Sequence, residues 1–179
     1  TRPQTSMDHP YTKLAVREGS HTDYRAVIRY PRTQLKQLVF RLRDVEEVPP
    51  GFRRGPVHDP QTFVSDYGFL FSGLATERML VVGLSTSNCI IAIDPIGEGT
   101  MDSCLVHPRE VFRTAIATPA ASLLLAHNHP SGNPEPSQED IKITRQLVEA
   151  GKIMGVPITD HIIFGAGRSF TSFAERGLL

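Results

Sequence analysis

The feature that most constrains this chain is a short apolar strand that runs straight into two histidines. Ala121-Ser122-Leu123-Leu124-Leu125-Ala126 carries no charge and continues as His127-Asn128-His129-Pro130. A strand without a polar face suits a central position in a sheet covered on both sides. Side chains alternate along a strand, so His127 and His129 leave it on one face. Both imidazoles can then reach a single ion at about 2.0–2.1 Å.

The chain beyond them closes the constellation. Pro130, Gly132, Pro134 and Pro136 make it turn sharply. The turn returns Asp140, in the first turn of the next helix, to the two histidines. Three protein ligands leave a fourth position open for water, the catalytic pattern of a zinc site. Zinc lowers the pKa of bound water to about 7, so hydroxide is available near neutrality. Ser137 and Asp140 also fit a helix capping box, with Ser137 as N-cap. For Asp140 the two readings compete, because its carboxylate must serve the metal or the backbone. A two-His, one-carboxylate set also suits iron in oxygen chemistry. That site needs more open positions and a cosubstrate pocket, and no feature of the sequence indicates one.

Around this segment the elements alternate between strand and helix. Residues 23–30 alternate enough for a strand, which Pro31 interrupts. From 32 to 45, Leu35, Leu38, Val39, Leu42 and Val45 fall at helical spacing. The Pro- and Gly-rich stretch 49–56 reads as a linker, which sets a boundary between residues 1–56 and 57–179. Asp59-Pro60 opens a helix whose buried stripe is Phe63, Val64, Tyr67, Leu70 and Phe71. Residues 78–84 and 89–96 form a hairpin around the turn at 85–88. Pro108 opens a helix with Val111, Phe112, Ala115 and Ile116 inward, and His107 caps it. A helix from about Gln138 to Met154 turns Ile141, Thr144, Leu147, Val148 and Gly151 inward and ends at Gly155. Residues 156–164 give a last strand. This order predicts an α+β fold with a mixed, mainly antiparallel sheet flanked by helices.

Composition removes several classes. With 40% hydrophobic residues the chain can bury a core and is not of disordered composition. Cys89 and Cys104 are the only cysteines, which is no disulfide framework and suits a reducing cytosol. No apolar run approaches the roughly 20 residues that span a bilayer. The opening Thr1–Met7 has no apolar signal core. The initial Thr1 points to a trimmed chain with sequence upstream. Net charge is zero, yet residues 1–56 hold 11 Lys and Arg against 6 Asp and Glu, whereas 57–179 hold 8 against 13. Zero net charge argues against a protein that coats nucleic acid. The basic front segment keeps a local DNA contact open, beside the plainer reading of a positive arm lying on a negative domain.

The motif then resembles a family. His127-x-His129-Pro130, Ser137 seven residues later and Asp140 three further on resemble the JAMM motif of MPN-type zinc metallopeptidases. Gly99-Thr100-Met101-Asp102-Ser103, His107-Pro108-Arg109-Glu110-Val111, His127-Asn128-His129-Pro130-Ser131-Gly132 and Asp160-His161-Ile162-Ile163 are similar to the RadC branch in particular. The resemblance spans roughly residues 59–179. It does not reach residues 1–56, which show no helix-hairpin-helix and read as a small N-terminal α/β extension. It implies an MPN fold of cytidine-deaminase-like layering, with zinc held by His127, His129 and Asp140. It also implies cleavage of a peptide or isopeptide bond in a protein or peptide substrate, a ubiquitin-like conjugate among the candidates. The family's glutamate stands ahead of the motif at a strand edge, where Glu77 fits better than Glu98 or Glu110. Glu77 would move the proton of the attacking water, and Ser137 would donate to the developing oxyanion, a task worth about 3 kcal/mol. The resemblance also carries the alternative of a non-catalytic or DNA-associated module tied to DNA repair or genome defence. Asp160 and His161 read as a structural hydrogen-bonding pair beside the site, and His9, His21 and His58 have no partner at metal spacing.

Overall fold

The fold follows from β5 (Ser122–Asn128), every residue of which is buried. The computed structural model describes the backbone of residues 23–26 and 38–41, and residues 55–99 and 106–179. The chain divides into two compact units, Thr1–Glu47 and Val48–Leu179. In the second unit, β5 is the middle strand of a five-stranded sheet of order β4-β3-β5-β6-β7. Its partners are β3 (Glu77–Leu84), antiparallel, and β6 (Ile158–Phe164), parallel. The outer strands β4 (Ile90–Gly99) and β7 (Phe170–Ser172) both pair antiparallel. The expected mixed, mainly antiparallel sheet is therefore present, and its one parallel step needs the helical crossover that the sequence places between β5 and β6.

Alternation along the strands sorts the core into two layers. On one face, Leu80, Val82, Leu124, Ala126 and Ile162 pack against Phe63, Val64, Tyr67 and Phe71. Those four belong to α1 (Pro60–Tyr67) and the 3-10 turn that follows it, and Asp59 caps α1 as its sequence suggests. On the other face, Met79, Val81, Leu123, Leu125 and Ile158 pack against Val111 and Phe112 of α2 (Pro108–Ala117) and Leu147 of α3 (Gln138–Met154). His127 shares the parity of Leu123 and Leu125, so it lies on the α3 face of β5. His107 caps α2, its ring nitrogen accepting from Arg109 N at 3.3 Å. Among the described residues, no helix is long and apolar enough to cross a membrane.

Four expectations change. Leu38–Arg41 is a strand, β2, paired antiparallel with β1 (Asp23–Ala26), where spacing suggested a helix. Val39 is β-branched and Phe40 aromatic, both favoured in strands, and a short apolar run fits either period. The rest of 27–37 and 42–45 lies outside the described residues. Ile116 is 69% exposed rather than inward. It sits about 140° around α2 from Val111, past the edge of the buried face. Thr114 occupies the inner position instead and donates to Asp94 Oδ2 at 3.0 Å. The strand β7 is too short to show in the sequence, and β4 runs on to Gly99.

Gly151 shows how closely α3 meets the sheet. A Cβ there would lie 2.7 Å from the carbonyl oxygen of Val156 and 3.5 Å from Phe112 Cζ. Alanine gains up to about 1 kcal/mol in helix propensity, but a backbone carbonyl cannot yield cheaply, and overpacking costs about 1–3 kcal/mol. Gly151→Ala should therefore lower stability by about 1 kcal/mol in urea unfolding. A gain in stability would contradict this packing.

Candidate metal centre

Every element that carries a candidate ligand is fixed by local chemistry. His127 ends β5 with 1% of its surface exposed. His129 follows the strand, and its backbone N–H still donates to Phe164 O at 3.0 Å. The loop then folds onto the end of β6: Gly132 N donates to His129 O at 2.9 Å, and Ala166 N donates to Gly132 O at 2.8 Å. Gly132 has φ of +78°, and a Cβ there would meet Ala166 Cβ at 2.9 Å, so only glycine fits. Arg176 holds the same loop through a bidentate pair with Glu135, at 2.6 and 2.7 Å. Ser137 then caps α3, which places Asp140 at its third helical position.

Three ligand groups converge there. His127 Nε2 lies 3.0 Å from His129 Nε2. Asp140 Oδ1 lies 3.3 Å from His127 Nε2, and Oδ2 lies 3.4 Å from His129 Nε2. His127, His129 and Asp140 form the one group of three or more such side chains among the described residues that can hold a metal ion. The hydrogen bonds settle which nitrogen of His129 is free. Its Nδ1 is 2.7 Å from the carbonyl oxygen of Asn133, which can only accept. Nδ1 therefore carries a hydrogen, and in the neutral ring Nε2 keeps its lone pair. A second acceptor, the Asp140 carboxylate, faces the same point. Such a donor set fits a cation.

The capping box and the approach of Asp140 to the two histidines hold together in the structure. Ser137 N and Ser137 Oγ donate to Asp140 Oδ2 at 2.7 and 2.6 Å, and Asp140 N donates back to Ser137 Oγ at 3.1 Å. The capping box is complete, and Oδ1 still faces His127. Burial pushes the Asp140 carboxyl up, but a proton on the facing imidazoles of His127 and His129 and the Ser137 hydrogen bond outweigh it and hold the group well below the usual carboxylate range. The bond with Asp140 raises His129 above its ordinary value, against burial, and the charge of Glu77 acts in the same direction.

Glu77 opens β3. Met79 pairs with His127, so the register carried two residues on sets Glu77 across from His129. Its Oε2 is buried and takes no hydrogen bond, an acceptor left open beside the ligands. The rivals stand elsewhere. Glu110 bonds Arg109 and Arg113 on α2, and Glu98 holds the register position opposite Arg78. Asp160 and His161 are hydrogen-bonded to each other beside the site, through the backbone N–H of His161. Asp160 accepts from Ser172 Oγ at 2.6 Å and from the N–H groups of His161 and Ala174 at 2.7 and 2.9 Å. Burial nonetheless raises its carboxyl. His161 Nε2 lies 2.8 Å from His127 Nδ1.

Two residues beside the site escape the sequence reading. Asn128 accepts from Arg78 N at 2.9 Å and donates to Thr76 O at 3.0 Å, so it clamps the backbone on either side of Glu77. A polar residue between two strand histidines is the signal that marks it. Thr144, read as part of the inner stripe of α3, bonds His161. A hydroxyl in an otherwise apolar stripe is its signal.

A family model described as "RadC-like JAB domain" matches residues 58–178. The chain belongs to the RadC-like JAB domain family. It is 54% identical over 106 residues to a UPF0758 protein of Moorella thermoacetica, covering 59% of this chain and 46% of that one. It is 51% identical over 106 residues to a UPF0758 protein of Symbiobacterium thermophilum, covering 59% and 45%. A UPF0758 protein of Salinibacter ruber is 48% identical over 137 residues, covering 76% and 58%. The chain thus spans about half the length of the curated relatives it matches. Membership in a JAB family fits a metal-dependent hydrolase.

A proton on His129 Nε2 occupies the nitrogen an ion needs. Its pKa lies above the ordinary histidine value, so metal affinity is complete above that raised pKa and falls as pH drops through it. Below it the loss should approach about tenfold per pH unit, one proton displaced per ion. Chelator competition for zinc between pH 8 and pH 6 measures this, and a flat affinity across that range would contradict it.

Proposed function

We propose that the domain is a zinc-dependent hydrolase that cleaves a peptide or isopeptide bond. The observation that carries the reading is the convergence of His127 Nε2, His129 Nε2 and the Asp140 carboxylate beside the unpartnered Glu77 Oε2. Their separations of 3.0–3.4 Å suit donors around a small tetrahedral ion, whose edges are about 3.3 Å for bonds of about 2.0–2.1 Å. Zinc, when bound, supplies a Lewis acid and a water whose pKa is about 7.

The chain's own residues supply the rest. Glu77 accepts the proton of the attacking water and returns it to the leaving amine. Asn128 holds the backbone of Glu77 in place for that transfer. Ser137 donates to the oxyanion, and in that role its hydroxyl hydrogen turns from Asp140 Oδ2 to the substrate oxygen. His127 is buried and the side chains of His129 and Asp140 are only slightly exposed, which limits bulk water and strengthens each of these interactions. A protein or peptide, including a ubiquitin-like conjugate, is the substrate class that this chemistry and the family membership support together.

The test is hydrolysis of a panel of peptides and ubiquitin-like conjugates, with bound metal measured in the same samples. Glu77→Gln should keep its zinc and lose about 10²–10⁴-fold in turnover. Equal cleavage by both proteins removes Glu77 from the mechanism, and iron in place of zinc in the purified protein would favour oxygen chemistry.

A further inference from the structure

Behind His127 runs a buried chain of hydrogen bonds that ends at a group of fixed polarity. His127 Nδ1 lies 2.8 Å from His161 Nε2, and His161 Nδ1 lies 2.6 Å from Thr144 Oγ1. Thr144 Oγ1 lies 2.6 Å from the backbone carbonyl oxygen of Asp140. His127, His161 and Thr144 are all at most 1% exposed, so water does not complete any of these bonds.

The proton positions follow from the far end. A carbonyl oxygen has no hydrogen to give, so the Thr144 hydroxyl hydrogen must point to Asp140 O. Thr144 Oγ1 then has only a lone pair left for His161, and His161 Nδ1 must bring its own hydrogen. His161 is buried and stacked on Phe173, with ring centroids 4.8 Å apart, which keeps the ring neutral, so its Nε2 is an acceptor. His127 Nδ1 therefore donates, and His127 Nε2 has its lone pair free at the ligand cluster.

We infer that Thr144 and His161 are positioning residues that fix the tautomer of His127, so that its Nε2 is the metal-binding atom. The inference rests on the reading of His127 as a metal ligand. One helix thereby serves the centre twice: its Asp140 carboxylate would hold the ion, and its Asp140 carbonyl sets the proton arrangement behind His127. His129 reaches the same end directly, through the Asn133 carbonyl. Thr144→Val keeps the shape and removes the acceptor for His161 Nδ1–H. His161 then gains by moving its hydrogen to Nε2, which forces His127 to carry its own hydrogen on Nε2, against the metal.

The test combines long-range ¹H–¹⁵N NMR of the histidine tautomers in metal-free protein with zinc affinity by chelator competition. Wild type should show hydrogen on Nδ1 of both His127 and His161. Thr144→Val should shift both tautomers and weaken zinc by about 10–100-fold, and Thr144→Ser should restore both readouts. Val148→Ala, on the same helix, should lose stability while keeping the tautomers and the zinc affinity, which separates positioning from mere packing. Hydrogen on His127 Nε2 in the wild type, or a Thr144→Val protein that binds zinc as tightly as wild type, overturns the inference while leaving the metal site standing. A wild type that binds no zinc overturns the metal reading itself, and the inference with it.

Discussion

Two imidazole lone pairs and a carboxylate, held 3.0–3.4 Å apart in a site largely closed to water, repel one another unless positive charge sits between them. The rest of the domain is arranged to hold that conflict in place. His127 is fixed by the most buried strand of the sheet, and the loop after His129 is tied to the end of β6 through Gly132 and Ala166. The start of α3 brings the carboxylate. A proton relieves part of the repulsion, which is why His129 holds one more tightly than an ordinary histidine. A metal ion relieves it more completely, because it accepts from all three groups at once.

The capping box shows how the same atoms meet a folding need and a chemical one. A helix N-terminus has unsatisfied N–H groups, and Ser137 with Asp140 satisfies two of them. Because Asp140 has two oxygens, one can receive Ser137 while the other faces His127. The cap also holds the Asp140 carboxylate in place beside His127 and His129. Asn128 clamps the backbone on either side of Glu77 from the opposite face of β5, and His161 on β6 lies 2.8 Å from His127 Nδ1.

Much of this is legible in the sequence because it depends on local spacing. The i, i+2 histidines, the Pro and Gly loop and the Ser-x-x-Asp start of α3 are each short-range patterns, and α3 runs from Gln138 to Met154 with Gly155 in a left-handed conformation, as its punctuation suggests. What escaped depends on contacts distant in sequence. Thr144 reads as core until His161 is placed 2.6 Å from it, and β7 exists only because β6 offers it an edge. At Leu38–Arg41 the spacing favoured a helix, and strand pairing with Asp23–Ala26 won. For Ile116, a rotation of one residue around α2 decides between core and solvent.

X-ray absorption of the zinc-loaded protein tests the central claim most directly, since it reads the ligands of the ion itself. The account predicts four nitrogen and oxygen neighbours at about 2.0–2.1 Å, with the outer-shell scattering of two imidazoles. A single imidazole, sulfur in the first shell, or a six-coordinate ion would contradict it.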